Sequence, residues 1–182
     1  YGLIAIVLTL IIISGEIDLS IASMIALTAV IFGTVYNAGF GMPISVLIGV
    51  LSGALCGLFN GILVTKLKIP SIILTIGTLT LYRGIAQALA SDFSLGGYPS
   101  WFIGIDYRYV GIIPIPVIIF TVFAIVIGFL LSSTIYGKQL YLIGTNPQTA
   151  KYSGIKVDKI KLLLFTFSGV ISGVAGALTT SR

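Results

Sequence analysis

The sequence predicts an all-α, polytopic membrane protein, and three observations carry that prediction. Hydrophobic residues fill 57% of the 182 positions and charged residues only 8%, where an ordinary soluble domain carries about 25%. The apolar residues gather into long uninterrupted runs, and a helix needs about 20 of them to cross the hydrocarbon core of a bilayer. No alternating strand pattern appears, and backbone facing lipid must satisfy its own hydrogen bonds, which helices do. Soluble enzymes, disordered tails and nucleic-acid binders are thereby excluded. A single cysteine, Cys56, and the absence of histidine exclude a disulfide framework, a Cys/His metal site and histidine-based catalysis. No catalytic residue and no metal ligand is expected.

Six candidate spans follow in order. The first, residues 1–14, is short for a crossing and reads as a truncated helix. The chain starts inside an apolar run without Met and stops just after another, so an internal piece of a longer protein is expected. Residues 19–65 carry no charge and are too long for one helix. The turn-like Tyr36-Asn37-Ala38-Gly39-Phe40-Gly41-Met42-Pro43 divides them into a second and a third span. The fourth covers residues 70–90 with Arg83 inside it, the fifth 114–136 and the sixth 162–180. Residues 1–182 are read as one transmembrane domain.

The charges set the expected orientation. Lys66 and Lys68 share one short loop, and Lys138, Lys151, Lys156, Lys159 and Lys161 share another. Alternating topology puts both loops on the same side, and the positive-inside rule makes that side cytoplasmic. The cytoplasmic loop spans about 137–161. Residues 91–113 keep Asp92, Asp106 and Arg108 with Tyr98, Trp101, Tyr107 and Tyr109. They form the expected extracytoplasmic loop, with a short interfacial helix in it.

Helix faces argue for a packed bundle. Gly49, Gly53, Gly57 and Gly61 recur every fourth residue in the third span, and Gly169 and Gly173 repeat the spacing in the sixth, extended by Ala177. Such smooth stripes let a neighbouring backbone approach closely. In the fourth span Thr75, Thr78 and Tyr82 share one face. Their hydroxyls either bond back to their own helix or border a hydrated path for a polar solute, with Asn60. Arg83 either faces a cavity or partner or snorkels outward, since a mid-span arginine costs at least about 2.5 kcal/mol. Between the first two spans, Ser14-Gly15-Glu16-Ile17-Asp18-Leu19-Ser20 places Asp18 to cap the second helix, with Ser20 and Ser23 in its first turn. A break at membrane depth is the alternative, and such breaks are where transporters bind or gate.

The most specific segment runs from Gly144 to Ile155. Asn146 is an N-cap, Pro147 occupies the first helical position, and Gly154 suits the left-handed residue that closes a helix. The spacing predicts a two-turn helix over 147–153, too short to stand alone. It must be held between the bundle and a partner, with Ala150 on its docking face, Lys151 and Ser153 beside it, and Ile155 apolar just past the cap.

Gly15-x-Ile17-Asp18-Leu19-Ser20, Phe59-Asn60-Gly61, Leu67-Lys68-Ile69-Pro70, Thr75-Ile76-Gly77-Thr78, Tyr82-Arg83-Gly84, Gly144-x-Asn146, Ser153-Gly154-Ile155 and Ser168-Gly169 resemble one family in the right order along essentially the whole chain. It is the membrane permease subunit of ribose-type ATP-binding-cassette (ABC) sugar importers, including those for autoinducer-2 and rhamnose. The 36–43 turn and Gly96-Gly97-Tyr98-Pro99 look most like the autoinducer-2 permeases. The sequence departs from the family at Glu16, Ala22 and Thr149.

The resemblance implies a fragment of a permease with roughly ten spans of bilayer length, in a bacterial inner membrane. It implies that the 146–155 segment is the coupling helix docking into a cytoplasmic ATPase, which would bind the ATP and Mg. It also implies a second permease subunit, identical or paralogous, and an extracytoplasmic solute-binding protein. The residues agree on one point: no G-x-x-x-x-G-K-[ST] occurs, and the nearest approach, Gly137-Lys138, has Ser132 where the first glycine belongs. The rival class is an ion-coupled secondary transporter, for which Glu16 and Asp18 are the candidate carboxylates.

Overall fold

The computed structural model describes residues 2–90, 96–104 and 109–181. Among those residues the regular structure is helical apart from one small hairpin. Among the described residues the helices are α1 (Gly2–Ile13), α2 (Ile21–Asn37), α3 (Met42–Thr65), α4 (Ser71–Ala90), α5 (Ile115–Ser133), α6 (Ile135–Thr145), α7 (Pro147–Tyr152) and α8 (Val157–Thr180). Strands β1 (Tyr109–Val110) and β2 (Ile113–Pro114) pair antiparallel ahead of α5. Four helices, α3, α4, α5 and α8, are long and apolar enough to cross a membrane, while α1 and α2 are apolar but shorter. The six-span expectation thus holds for the positions of the apolar helices, and the first two fall short of a full crossing by length. Asp92, Asp106, Tyr107 and Arg108 lie outside the described residues. The described part of the 91–113 loop shows a turn over 100–104 and β1, and the rest of the segment in which a short interfacial helix is expected lies outside the described residues.

The centre of the bundle is the pair α3 and α8, which cross antiparallel along their glycine stripes. A Cβ placed on Gly53 would overlap the Gly169 carbonyl oxygen, and one on Gly57 would overlap that of Phe165. A Cβ on Gly173 would come within 2.6 Å of the Val50 Cα. At the ends of the stripe the fit loosens: Gly49 faces Phe32 of α2, and Gly61 faces Leu162 and Phe165. Real Cβ atoms do not come so close to backbone, so Gly53, Gly57 and Gly173 accept hydrogen alone. α2 lies across the pair through Gly176, whose Cβ would overlap the Thr28 hydroxyl, and the Thr28 hydroxyl also donates to the Ser172 carbonyl (3.3 Å). α4 closes on α2 through Met24, Leu27, Tyr82 and Ala86. α1 packs on α8 through Val7, Ile11 and Ile171, and α5 and α6 join it through Ile127 and Leu140 around Leu10.

Two ends of the bundle differ in chemistry. At one, Phe32, Tyr36, Tyr98 and Phe102 cluster with centroid separations of 5.1–5.8 Å, stacked between Phe32 and Tyr98 and tilted or edge-on elsewhere, and the Gly104 amide donates to the Ser181 carbonyl (2.8 Å). At the other lie the C-terminus of α3 and the N-terminus of α8, where Lys68 pairs with Asp158 at 2.7 Å. Both lysine loops therefore sit at the same end, opposite Trp101.

The fifth span needs correction. Expected as one helix over 114–136, it stops at Ser133, and α6 starts at Ile135. Thr134 between them is extended (φ −107, ψ 159). Its hydroxyl donates back to Leu130 (2.6 Å) and accepts from the Gly137 amide (3.3 Å). It ends one helix and caps the next. A Cβ at Gly137 would strike the Leu130 and Leu131 carbonyls, so the sharp reversal needs that glycine.

The glycine geometry yields a direct comparison. Gly57→Val should cost about 1–3 kcal/mol or more by overpacking and abolish a monodisperse elution peak in detergent. Gly77→Ala, where nothing lies within 4 Å, should be neutral or stabilise by up to about 1 kcal/mol through helix propensity. Thermal melts followed by size-exclusion recovery measure both.

Candidate functional site

A buried polar centre is built where the chain breaks between α1 and α2. α1 ends because Gly15 takes a left-handed conformation (φ +79), which a residue with a β-carbon adopts at a cost of about 1–2 kcal/mol. The next residues run without helical bonding to Ser20. Asp18 lies within this stretch and is only 2% exposed. The Ser20 amide and hydroxyl both donate to its Oδ1 (2.9 and 2.6 Å), and the Ser168 hydroxyl on α8 donates to its Oδ2 (3.2 Å). The expected N-cap is thus corrected. Asp18 closes a turn onto Ser20, one residue ahead of the helix, and Ser20 occupies the cap position without a side-chain bond to the helix.

Hydrogen bonds extend from Asp18 in one direction. The Asn60 side chain on α3 donates to the Ser20 hydroxyl (2.9 Å). The Tyr82 hydroxyl on α4 donates toward Asn60 Oδ1 and the Cys56 carbonyl (3.0 Å each). Every donor along Tyr82, Asn60 and Ser20 points toward the carboxylate, so each bond polarises the next. Thr75 and Thr78 are buried on the face that the spacing predicts. The Thr75 hydroxyl donates to Ser71 (2.7 Å) and lies 3.4 Å from the Ile17 carbonyl, and that of Thr78 donates to Thr75 (3.4 Å). Both hydroxyls donate to backbone carbonyls of their own helix, which keeps them satisfied under either reading of this face. The structure does not bring Arg83 to this cluster: it is exposed on the other side of α4.

Three pairings went unread in the sequence. Ser71 accepts from the Ile17 amide (3.2 Å) and fixes the break against α4. Ser168 reaches Asp18 from 150 positions away, a distance that no local pattern reveals. Glu16 pairs with Lys161, both side chains only 13–14% exposed. A lone charge in an apolar stretch is the one available signal, since such a group demands a partner.

The second element is α7. The Asn146 side chain accepts from the Gln148 and Thr149 amides (3.0 Å each), and Pro147 opens the helix. At its other end the Gly154 amide donates to Lys151 and the Ile155 amide to Ala150 (3.1 Å each), with Gly154 at φ +82. That pair of bonds around a left-handed glycine is a Schellman closure. The helix therefore ends at Tyr152, one residue before the expected limit. Ala150 is corrected as a docking residue, because it is fully buried inside the chain, and Ile155 is half-buried. The open face instead carries Gln148, Lys151, Ser153 and Tyr152, the last 87% exposed. Behind α7, Gly144 abuts α1 so closely that a Cβ would overlap the Ile13 carbonyl, and Gly15 lies against Gly144. The capped helix and the polar break are thereby joined back to back.

Residues 1–182 match the family described as "Branched-chain amino acid transport system / permease component". Curated relatives named "Autoinducer 2 import system permease protein LsrD", from Escherichia coli (strain K12), Escherichia coli O9:H4 (strain HS) and Shigella flexneri, are each 37% identical over 186 residues. The match covers 99% of this chain and 56% of each relative, so the chain spans little more than half their length. No solved structure matches it.

The polar centre makes its own prediction. Tyr82→Phe removes the buried hydroxyl that donates to Asn60 Oδ1 and should cost about 1–3 kcal/mol, read as a lower melting temperature in detergent. Arg83→Gln, on the exposed side of the same helix, should stay within about 0.5 kcal/mol.

Proposed function

The chain belongs to the permease-component family that it matches from end to end, and from that premise we propose that it is a permease subunit of an ABC importer. Its cargo on this reading is a small sugar-like solute, autoinducer-2 first, with rhamnose and ribose as the nearest rivals. The single observation that carries the proposal is α7, a six-residue helix capped at both ends. Nothing in its own length keeps it folded, so such a feature has use as a lever. The lysine-rich end is cytoplasmic on this reading, and α7 docks on an ATPase that binds ATP and Mg. A second permease copy or paralogue completes the path, and an extracytoplasmic binding protein delivers the solute.

The geometry supplies a route for the force. A push on α7 reaches α1 through the Gly144–Ile13 contact. It reaches the break through Glu16 and Lys161. From the break, Asp18 grips α8, Ser20 grips α3, and Ile17 grips α4. A small displacement of one short helix is thus shared among three long ones. Side chains then re-pair as the helices rock, and Asp18, Ser20, Asn60, Thr75, Thr78 and Tyr82 border the solute route. Glu16 is neutralised by Lys161 and Asp18 accepts three hydrogen bonds. Neither carboxylate is left as a free proton relay, which weighs against the ion-coupled reading.

The exposed aromatic ring gives the test. Tyr152→Ser should weaken ATPase co-purification about tenfold or more, the range of an interface anchor, and lower uptake in proportion while membrane insertion is unchanged. Gly154→Val should act in the same direction and more strongly than Gly154→Ala. The Thr75→Val/Thr78→Val double variant should keep the ATPase and lose uptake. Normal ATPase association and uptake in Tyr152→Ser would overturn the lever assignment.

A further inference from the structure

We propose that a lysine-lined cleft beside α7 is a binding site for the headgroup of an anionic phospholipid. The cleft has a volume of about 900 Å³ and lies between the α3–α4 loop, α7 and the first turns of α8. Lys66, Lys68, Lys151, Lys156, Lys159 and Lys161 all line it. Two of them are answered, Lys68 by Asp158 and Lys161 by Glu16. The other four form no ion pair among the described residues and are exposed. Like charges gathered in one concave site raise the local potential and draw an anion in.

Depth identifies the anion. Lys66 follows directly on α3, whose 24 residues are uncharged and span about 36 Å against about 30 Å of hydrocarbon. Its ammonium therefore stands at headgroup level. Lys161 stands where α8 turns apolar, and Thr65 and Leu162, the residues next to these lysines on their helices, also line the cleft. Leu67 and Leu163, adjoining the lysine positions, are 63% and 56% exposed. A phosphate diester in the cleft, with Leu162 in its wall and acyl chains running along the exposed leucines just outside it, meets both the charged and the apolar chemistry found here. Free phosphate satisfies only one. Basic pockets at this level of a membrane protein are known to take acidic headgroups. Gln148, Lys151 and Tyr152 of α7 also line the cleft and belong to the face proposed above for the ATPase, so the headgroup is assigned to the lysines outside α7, and lipid and ATPase binding are read separately.

The test uses the full-length protein in nanodiscs of equimolar phosphatidylcholine and phosphatidylglycerol, with co-purifying lipid counted by native mass spectrometry. Several-fold enrichment of phosphatidylglycerol over the bulk ratio is expected. The Lys66→Gln/Lys156→Gln/Lys159→Gln variant should bring that enrichment to unity, while Lys138→Gln, outside the cleft, keeps it. Should the triple variant not fold, Lys159→Gln alone read at rising salt replaces it, because exposed charge pairs are screened. Unit enrichment in the wild type, or full enrichment in the triple variant, would overturn the proposal. Inorganic phosphate that displaces the bound lipid completely at millimolar concentration would mark a free-anion site and overturn it too. So would a triple variant that keeps its lipid but loses its ATPase, which would give the cleft to an acidic protein face.

Discussion

Backbone-to-backbone approach between α3 and α8 is the constraint on which the rest of the bundle depends. Where two helices meet through glycine there is no side chain to adjust, and the separation of their axes is set by main-chain atoms alone. Gly53 and Gly57 against Gly169 and Phe165 leave no room for a methyl group. Lipid tails are as apolar as leucine, so little is gained by hiding apolar surface inside a membrane, and close van der Waals contact takes over as the source of association. The other helices use this pair as their floor: α2 lies on it through Gly176, and α1 rests on α8.

That floor carries a polar interruption which a membrane would otherwise punish. Between α1 and α2 the backbone leaves the helix for several residues, and freed polar groups in hydrocarbon must be re-satisfied by protein. Asp18, Ser20, Ser71 and Ser168 do this from three different elements. A carboxylate suits the task because it accepts several bonds at once, each stronger for being charge-assisted. The cost of burying Asp18 is offset only while all of its donors stay in place. The break is therefore firm in one arrangement of helices and unfavourable in others.

How much of this was legible in the sequence divides along range. The apolar helices, the glycine stripes and both caps of α7 are local patterns, and each appears where Gly49, Asn146 or Gly154 says it should. The buried face of α4 was legible too, since Thr75, Thr78 and Tyr82 fall on one side of a 3.6-residue repeat. The reversal at Thr134 was hidden, because Ser132-Ser133-Thr134 sits inside an uncharged run and its cap is completed only by Gly137. Partners remote in the chain were equally hidden. Ser168 meets Asp18, and Lys161 meets Glu16, across about 150 positions. Ala150 misled because a small apolar residue on a short helix suits an outward groove and an inward one alike, and only the packing against the bundle decides.

The four-residue repeat of glycines has one more consequence. A translation of α3 along α8 by four residues, about 6 Å, sets Gly57 and Gly61 where Gly53 and Gly57 stood. The smooth surface therefore defines distance well and register poorly. What selects the register is the polar chemistry at one end: Asn60 on α3 and Ser168 on α8 both reach the segment around Asp18, and only one alignment serves both. The stripe behaves as a rail and the hydrogen-bonded centre as its stop. Weakening the stop without touching the rail would leave a bundle that is as compact as before but free to occupy neighbouring positions along it.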